Sequence, residues 1–105
     1  MKLVLHPDAR ADFDELIDFI ADRAGGRVAD LQLSRALAAL ETIQQFPRTS
    51  RYDKKLDVFE TWLPRTRFIA FYRILEAEDL IVVLAIIDHA RNTSRTKRRM
   101  ITARG

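Results

Sequence analysis

The chain contains no cysteine, so neither a disulfide framework nor a thiolate metal site is open to it. A reducing compartment, by default the cytoplasm, suits such a composition. Glycine and proline number only three each, which excludes collagen-like and low-complexity classes. Long apolar runs are also missing. The longest, Leu80 to Ile87, falls far short of the roughly 20 residues that a membrane helix needs. At the N-terminus, Leu3-Val4-Leu5 ahead of His6-Pro7 is too short for the apolar segment of a secretory signal. Phosphate-binding loops, dinucleotide fingerprints and metal-ligand clusters are absent as motifs, so neither a cofactor nor a metal is expected.

What remains is a globular composition: 105 residues, 48% hydrophobic and 31% charged, a length that fits one domain over residues 1–105. The net charge of +3 conceals an asymmetry. Residues 1–46 carry five basic and eight acidic groups, whereas residues 47–105 carry thirteen and seven. From Arg91 onward there are six cations and no acid, a block that seeks an anionic partner such as nucleic acid or an acidic peptide.

The stretch Arg67 to Arg91 organises the chain. It holds two apolar runs rich in β-branched and aromatic residues, separated by Glu76-Ala77-Glu78-Asp79, the pattern of a central β-hairpin. Before it, Lys2–Leu5 reads as a brief strand closed by His6-Pro7. Ala9, Phe13, Leu16, Ile17, Ile20, Ala21 and Ala24 then share one helical face, with acids on the rest. Gly25-Gly26 ends that helix. A second is expected from about Val28 to Phe46, with Leu33, Ala36, Leu37, Leu40 and Ile43 on its inner stripe and Val28 and Leu31 beginning it; Pro47 stops it. So short a joint forces an antiparallel helical hairpin. Residues 47–57 show no period and are expected to form a basic surface loop.

Strands follow at Val58–Leu63, Arg67–Leu75 and Leu80–His89, with connections of hairpin length, an antiparallel meander. In the middle one, Phe68, Ala70, Tyr72 and Ile74 face one way and Arg67, Ile69, Phe71, Arg73 and Leu75 the other. The last is apolar on both faces and so is expected to lie centrally. Ser94 can cap a short final helix to about Thr102, anchored by Met100 and Ile101, with Arg95, Lys97, Arg98 and Arg99 outward. The expectation is an α+β fold: an N-terminal strand, a helical hairpin packed on an antiparallel sheet of three to four strands, and a short basic C-terminal helix.

In this order, HPDARADFDELIDFIADRAG, FPRTSR, LPRTRFIAFYRI and VVLAIIDHARN resemble the ParE branch of the RelE/ParE toxins of bacterial type II toxin-antitoxin systems, the plasmid stabilisation proteins. The resemblance implies one sheet with the helical hairpin packed on it, and an antitoxin whose extended C-terminal segment lies along the toxin. It also implies one of two activities. ParE-like members are associated with inhibition of DNA gyrase, and RelE-like members cut messenger RNA on the ribosome. The long helices lean toward ParE. So does the poverty of proton-transfer groups: attack by a 2′-hydroxyl needs a base, an acid and cations for the phosphate, yet His89 is the only His of the second half. Many family members carry a His three residues before an Arg at this strand end. Here Asp88 takes that place and His89 follows it, although an Asp-His pair also resembles another family variant.

As a ribonuclease the chain would use Arg65, Arg67, Arg73, His89 and Arg91; as a binding toxin it would meet its target through Arg65, Arg67, Arg91, Arg95, Lys97, Arg98 and Arg99. Plain alternatives stand beside these. Arg73 in a strand interior can simply order the sheet by pairing with a carboxylate, Arg65 and Arg67 can be a solvated pair flanking a turn, and Trp62 can be a sheet-packing residue. Direct DNA contact through the tail would show as salt dependence, but no helix-turn-helix or aromatic platform promises sequence reading. The same fold could also serve as a non-toxic interaction domain. The two-faced apolar strand and the basic C-terminal half both want cover, which points to a partner with an acidic, partly apolar C-terminal segment.

Overall fold

The computed structural model describes all 105 residues. Strand β1 (Lys2–Leu5) leads into helix α1 (Pro7–Ala24), which starts where Pro7 pre-sets the helical φ and His6 Nδ1 accepts the Asp8 amide at 3.0 Å. A single residue, Gly25, separates α1 from α2 (Gly26–Gln45). Its φ of 93° lies where a side chain would be strained, and this permits the abrupt reversal. The joint is thus one residue shorter than the Gly25-Gly26 pair suggests. Along α2 the inward residues are Ala29, Ala36, Ala39, Leu40 and Ile43, while Val28, Leu31 and Leu37 stay exposed. The inner stripe is therefore rotated from the expected one, because small alanines let α2 approach its neighbours closely.

The sheet has five strands, not three or four, in the order β1-β5-β4-β3-β2. Added to the expected set is β2 (Arg51–Asp53), inside the segment expected to be loop, which pairs antiparallel with β3 (Val58–Trp62). Strands β4 (Phe68–Leu75) and β5 (Leu80–Asp88) complete the meander. The sheet is mixed rather than antiparallel, since β1 runs parallel to β5 in the register Leu3↔Ile81, Leu5↔Val83. Parallel neighbours require a crossover, and the α1–α2 hairpin with β2–β4 supplies it. As expected, β5 lies inside the sheet.

Opposite the Phe71/Tyr72 junction, β5 carries a bulge at Leu84: Phe71 pairs with Ala85 and Tyr72 with Val83. The extra residue reverses the alternation beyond it. Ile81, Val83 and Ile86 consequently pack with Phe13, Ala36, Leu40, Phe68 and Tyr72 under the helical hairpin. Leu84, Ala85 and Ile87 join Val58, Ile69 and Phe71 on the opposite face. That second face is covered by α3 (Ser94–Arg104), whose Ile101 is 2% exposed and whose Met100 lies beside it. Both faces of β5 are thus covered from within the chain. The requirement for outside cover that its two apolar faces suggest does not hold.

Candidate functional site

A cluster of cationic and aromatic groups collects where β3, β4 and β5 come together. Between β3 and β4, Arg65 adopts a left-handed conformation with φ 59°, held by α2: its carbonyl accepts from Arg35 Nη1 at 3.2 Å and from Gln32 Nε2 at 3.5 Å. Gln32 Oε1 also accepts the Arg67 amide at 3.2 Å. One glutamine side chain therefore fixes the turn from both sides. The side chain of Arg65 is exposed and forms no ion pair.

Arg67 is not a free cation. Its Nη2 lies 2.7 Å from Asp88 Oδ2, and Asp88, 9% exposed, also accepts the Ala90 amide at 2.9 Å. The carboxylate thereby caps the 3-10 turn His89–Arg91 that ends β5. His89 belongs to this turn and not to the strand. Its ring stacks on Trp62 with centroids 4.7 Å apart and planes 21° apart. Trp62 is 55% exposed and donates Nε1–H to the Thr66 carbonyl at 2.8 Å, so it is a surface platform rather than a sheet-packing residue. Arg73 follows the plain reading: Nε and Nη2 donate to the carbonyls of Asp57 and Leu56 at 2.9 and 3.0 Å, which ties β4 to the β2–β3 turn.

Beside this cluster runs a cleft of about 300 Å³ between α1 and the end of β5, lined by Asp12, Phe19, Arg67, Asp88 and Arg91 among others. Sequence reasoning brought Arg67 and Arg91 to it but missed Phe19. The available signal was an aromatic residue outside the apolar stripe of α1, and in the structure it is 43% exposed. Asp12 also accepts the Ile86 amide at 3.3 Å, at a point where β5 has run past the end of β1.

On the other face, α3 divides the basic tail in two. Lys97 points inward, contrary to the outward position expected: Nζ lies 2.7 Å from Asp53 Oδ2 and 2.6 Å from Glu60 Oε1, with the Phe71 ring 5.6 Å away. Burial by itself would lower the Lys97 pKa, but hydrogen bonds to the two carboxylates outweigh it and hold the group above its ordinary value. The hydrogen bond from Lys97, followed by that from the Leu56 amide, keeps Asp53 below the usual carboxylate range. At the end of α3, Arg104 reaches Asp12 Oδ1 at 3.0 Å and the Leu84 carbonyl at 3.1 Å, which occupies the bulge. Arg91, Arg95, Arg98 and Arg99 remain exposed and unpaired.

Chemically, this arrangement offers exposed cations for an anion and one imidazole as a proton-transfer group. Of the five residues that a ribonuclease would use, Arg67 and Arg73 are committed to partners within the chain and His89 rests on Trp62, which leaves Arg65 and Arg91 as free cations.

Comparison with known proteins agrees with the fold. A family model described as the ParE toxin of the type II toxin-antitoxin system, parDE, matches residues 3–93. A chain of the solved chromosomal ParDE TA system from P. aeruginosa superposes with a TM-score of 0.74 at 23% identity, covering 84% of this chain and 95% of that one. No curated protein matches significantly.

Proposed function

This chain belongs to the ParE toxin family of type II toxin-antitoxin systems, and on that premise we propose that it inhibits DNA gyrase by binding it and is neutralised by a cognate antitoxin. The observation that carries the reading is the state of the arginines: Arg67 and Arg73, two of the four that catalysis would use, are tied up, whereas Arg65, Arg91, Arg95, Arg98 and Arg99 are exposed and free for a partner. Lys97 leaves the set of target-binding residues, since its ammonium is spent on Asp53 and Glu60. For the antitoxin, an acidic and partly apolar C-terminal segment is the matching chemistry. Exposed Phe19, Val28, Leu31 and Leu37 on the helical hairpin supply its apolar counterpart. No helix is long and apolar enough to cross a membrane, and no membrane partner is proposed.

The test is supercoiling by purified gyrase with this protein added, alone and with its antitoxin. Inhibition relieved by the antitoxin is the expected result; unaffected supercoiling, with no gyrase retained on immobilised protein, sinks the proposal. The runner-up, ribosome-dependent cleavage of messenger RNA, draws on one observation, the exposed His89–Trp62 stack two residues before Arg91. Intact messenger RNA during growth arrest removes it. Absence of growth arrest altogether would leave the non-toxic interaction domain.

A further inference from the structure

We propose that the outer face of α3 is a docking surface for B-form duplex DNA, gripped through its phosphates and independent of any protein target. The argument begins with how the tail is divided. Six cations and no acid lie between Arg91 and Gly105. Lys97, Met100, Ile101 and Arg104 turn toward the sheet or α1, where they are half-buried or buried. Ser94, Arg95, Arg98, Arg99 and Thr102 occupy the opposite side and are all exposed. At 100° per residue these two sets fall on opposite halves of the helix. Arg91, in the turn just before, is also exposed but lines the cleft beside α1, so the face itself carries three free arginines.

Because α3 is pinned by Ile101 and by the ion pairs of Lys97 and Arg104, the arginines sit on a helix already fixed to the sheet. Arg95 and Arg99 are about 6 Å apart along the axis, with no acid on the helix to neutralise them. Guanidinium groups suit phosphate oxygens, which they can grip with two parallel hydrogen bonds.

The chemistry of the face selects among polyanions. A protein partner held by this face alone would need apolar anchors at the centre of its interface, and this face offers none. The exposed large apolar residues lie on other elements. Single strands are held by aromatic stacking platforms, and α3 has no aromatic residue. The major groove of B-form DNA admits a helix between the phosphates that flank it, whereas that of duplex RNA is too deep and narrow for side chains to enter. Contacts to phosphate alone position a protein without reading sequence, in keeping with a face of arginine, serine and threonine.

The experiment is fluorescence anisotropy of a labelled 20-base-pair DNA duplex titrated with the full chain, without gyrase, from 50 to 200 mM salt. Three phosphate contacts predict a slope of log K against log salt of about −2.7. Arg98→Gln is expected to shallow the slope by about 0.9, and the combined Arg95, Arg98 and Arg99→Gln variant to remove binding, with circular dichroism confirming that it is folded. Arg10→Gln, an equal charge change on exposed α1, is expected to leave the slope as it was. No binding at 50 mM salt, or the same slope for Arg98→Gln and the parent, overturns the proposal. Tighter binding of an acidic peptide, of a single strand or of duplex RNA overturns it too, and assigns the face to that partner. Because gyrase is absent, failure here is separate from failure of the supercoiling test.

Discussion

Lys97 Nζ lies 2.7 Å from Asp53 Oδ2, a contact that joins the last helix to the edge strand β2 across 44 positions of sequence. Glu60 of β3 completes the clasp at 2.6 Å and is itself held by Asn92 Nδ2 at 3.0 Å. Removing the cation while keeping the stem, as in Lys97→Met, leaves two carboxylates facing each other without a counter-charge. Loss of a partner from a buried pair costs about 3–5 kcal/mol; partial access to water reduces this to roughly 2 kcal/mol here. Urea denaturation of Lys97→Met against Arg98→Ala measures it, the latter expected within about 0.5 kcal/mol of the parent.

The same clasp sets the pH range of stability. Asp53 has a lowered pKa, so its contribution is complete above its unfolded value of about 3.9 and is lost as pH falls through the lower folded value. Lys97 has a raised pKa, so its contribution is complete below about 10.4 and is lost as pH rises through the higher folded value. Between these limits the clasp gives a plateau. Thermal melts from pH 2 to 7 are expected to show a shallower acid limb for Asp53→Asn than for the parent; identical limbs would mean that other carboxylates govern acid unfolding.

Tyr72 is fully buried in the sheet, yet its hydroxyl donates to the Pro47 carbonyl at 2.6 Å and lies 2.8 Å from Ser50 Oγ. It fastens the segment between α2 and β2. Tyr72→Phe keeps the ring stacked on Phe59 and removes both hydrogen bonds. The expected loss is about 1–2 kcal/mol, with faster proteolysis between Pro47 and Ser50. A loss confined to global stability, with no change at that segment, would contradict the fastening role.

The helices and the three meander strands were legible because each has its own periodicity and stop signals. Strand β2 was not: Arg51-Tyr52-Asp53 is too short to alternate, and its extended form comes from pairing with Phe59 and Glu60. The parallel pairing of β1 was equally hidden, since Lys2–Leu5 carries no mark of which strand it joins. In the candidate site, the arginines were visible as residues but their commitments were not. Asp88, which neutralises Arg67, is 21 positions away, and the acids that turn Lys97 inward are 44 and 37 positions away. Charge counted along the chain overstates the free charge of the folded surface.

His89 offers a direct division between the two activities. It stacks on Trp62 at the surface, so His89→Ala is expected to cost less than about 1.5 kcal/mol, the upper end for an aromatic pair. Under the gyrase-binding reading, induction of the variant arrests growth as the parent does. General acid-base catalysis contributes 10²–10⁴-fold, so a loss of arrest with cleaved messenger RNA in the parent alone would return the protein to the ribonuclease class.

Arg65 separates the demands of the turn from those of a target. Its backbone φ of 59° costs a residue with a side chain roughly 1 kcal/mol, while the hydrogen bonds that hold the turn use only its carbonyl. Glycine relieves that strain but leaves a more flexible unfolded chain, so Arg65→Gly is expected within about 1 kcal/mol of the parent. Arg65→Ala keeps the strain and removes the same cation. If the guanidinium meets the target, both variants lose gyrase inhibition to the same degree despite their different backbones, and melting temperature does not track the loss. Inhibition preserved in both would confine Arg65 to the turn and leave binding to Arg91 and the arginines of α3.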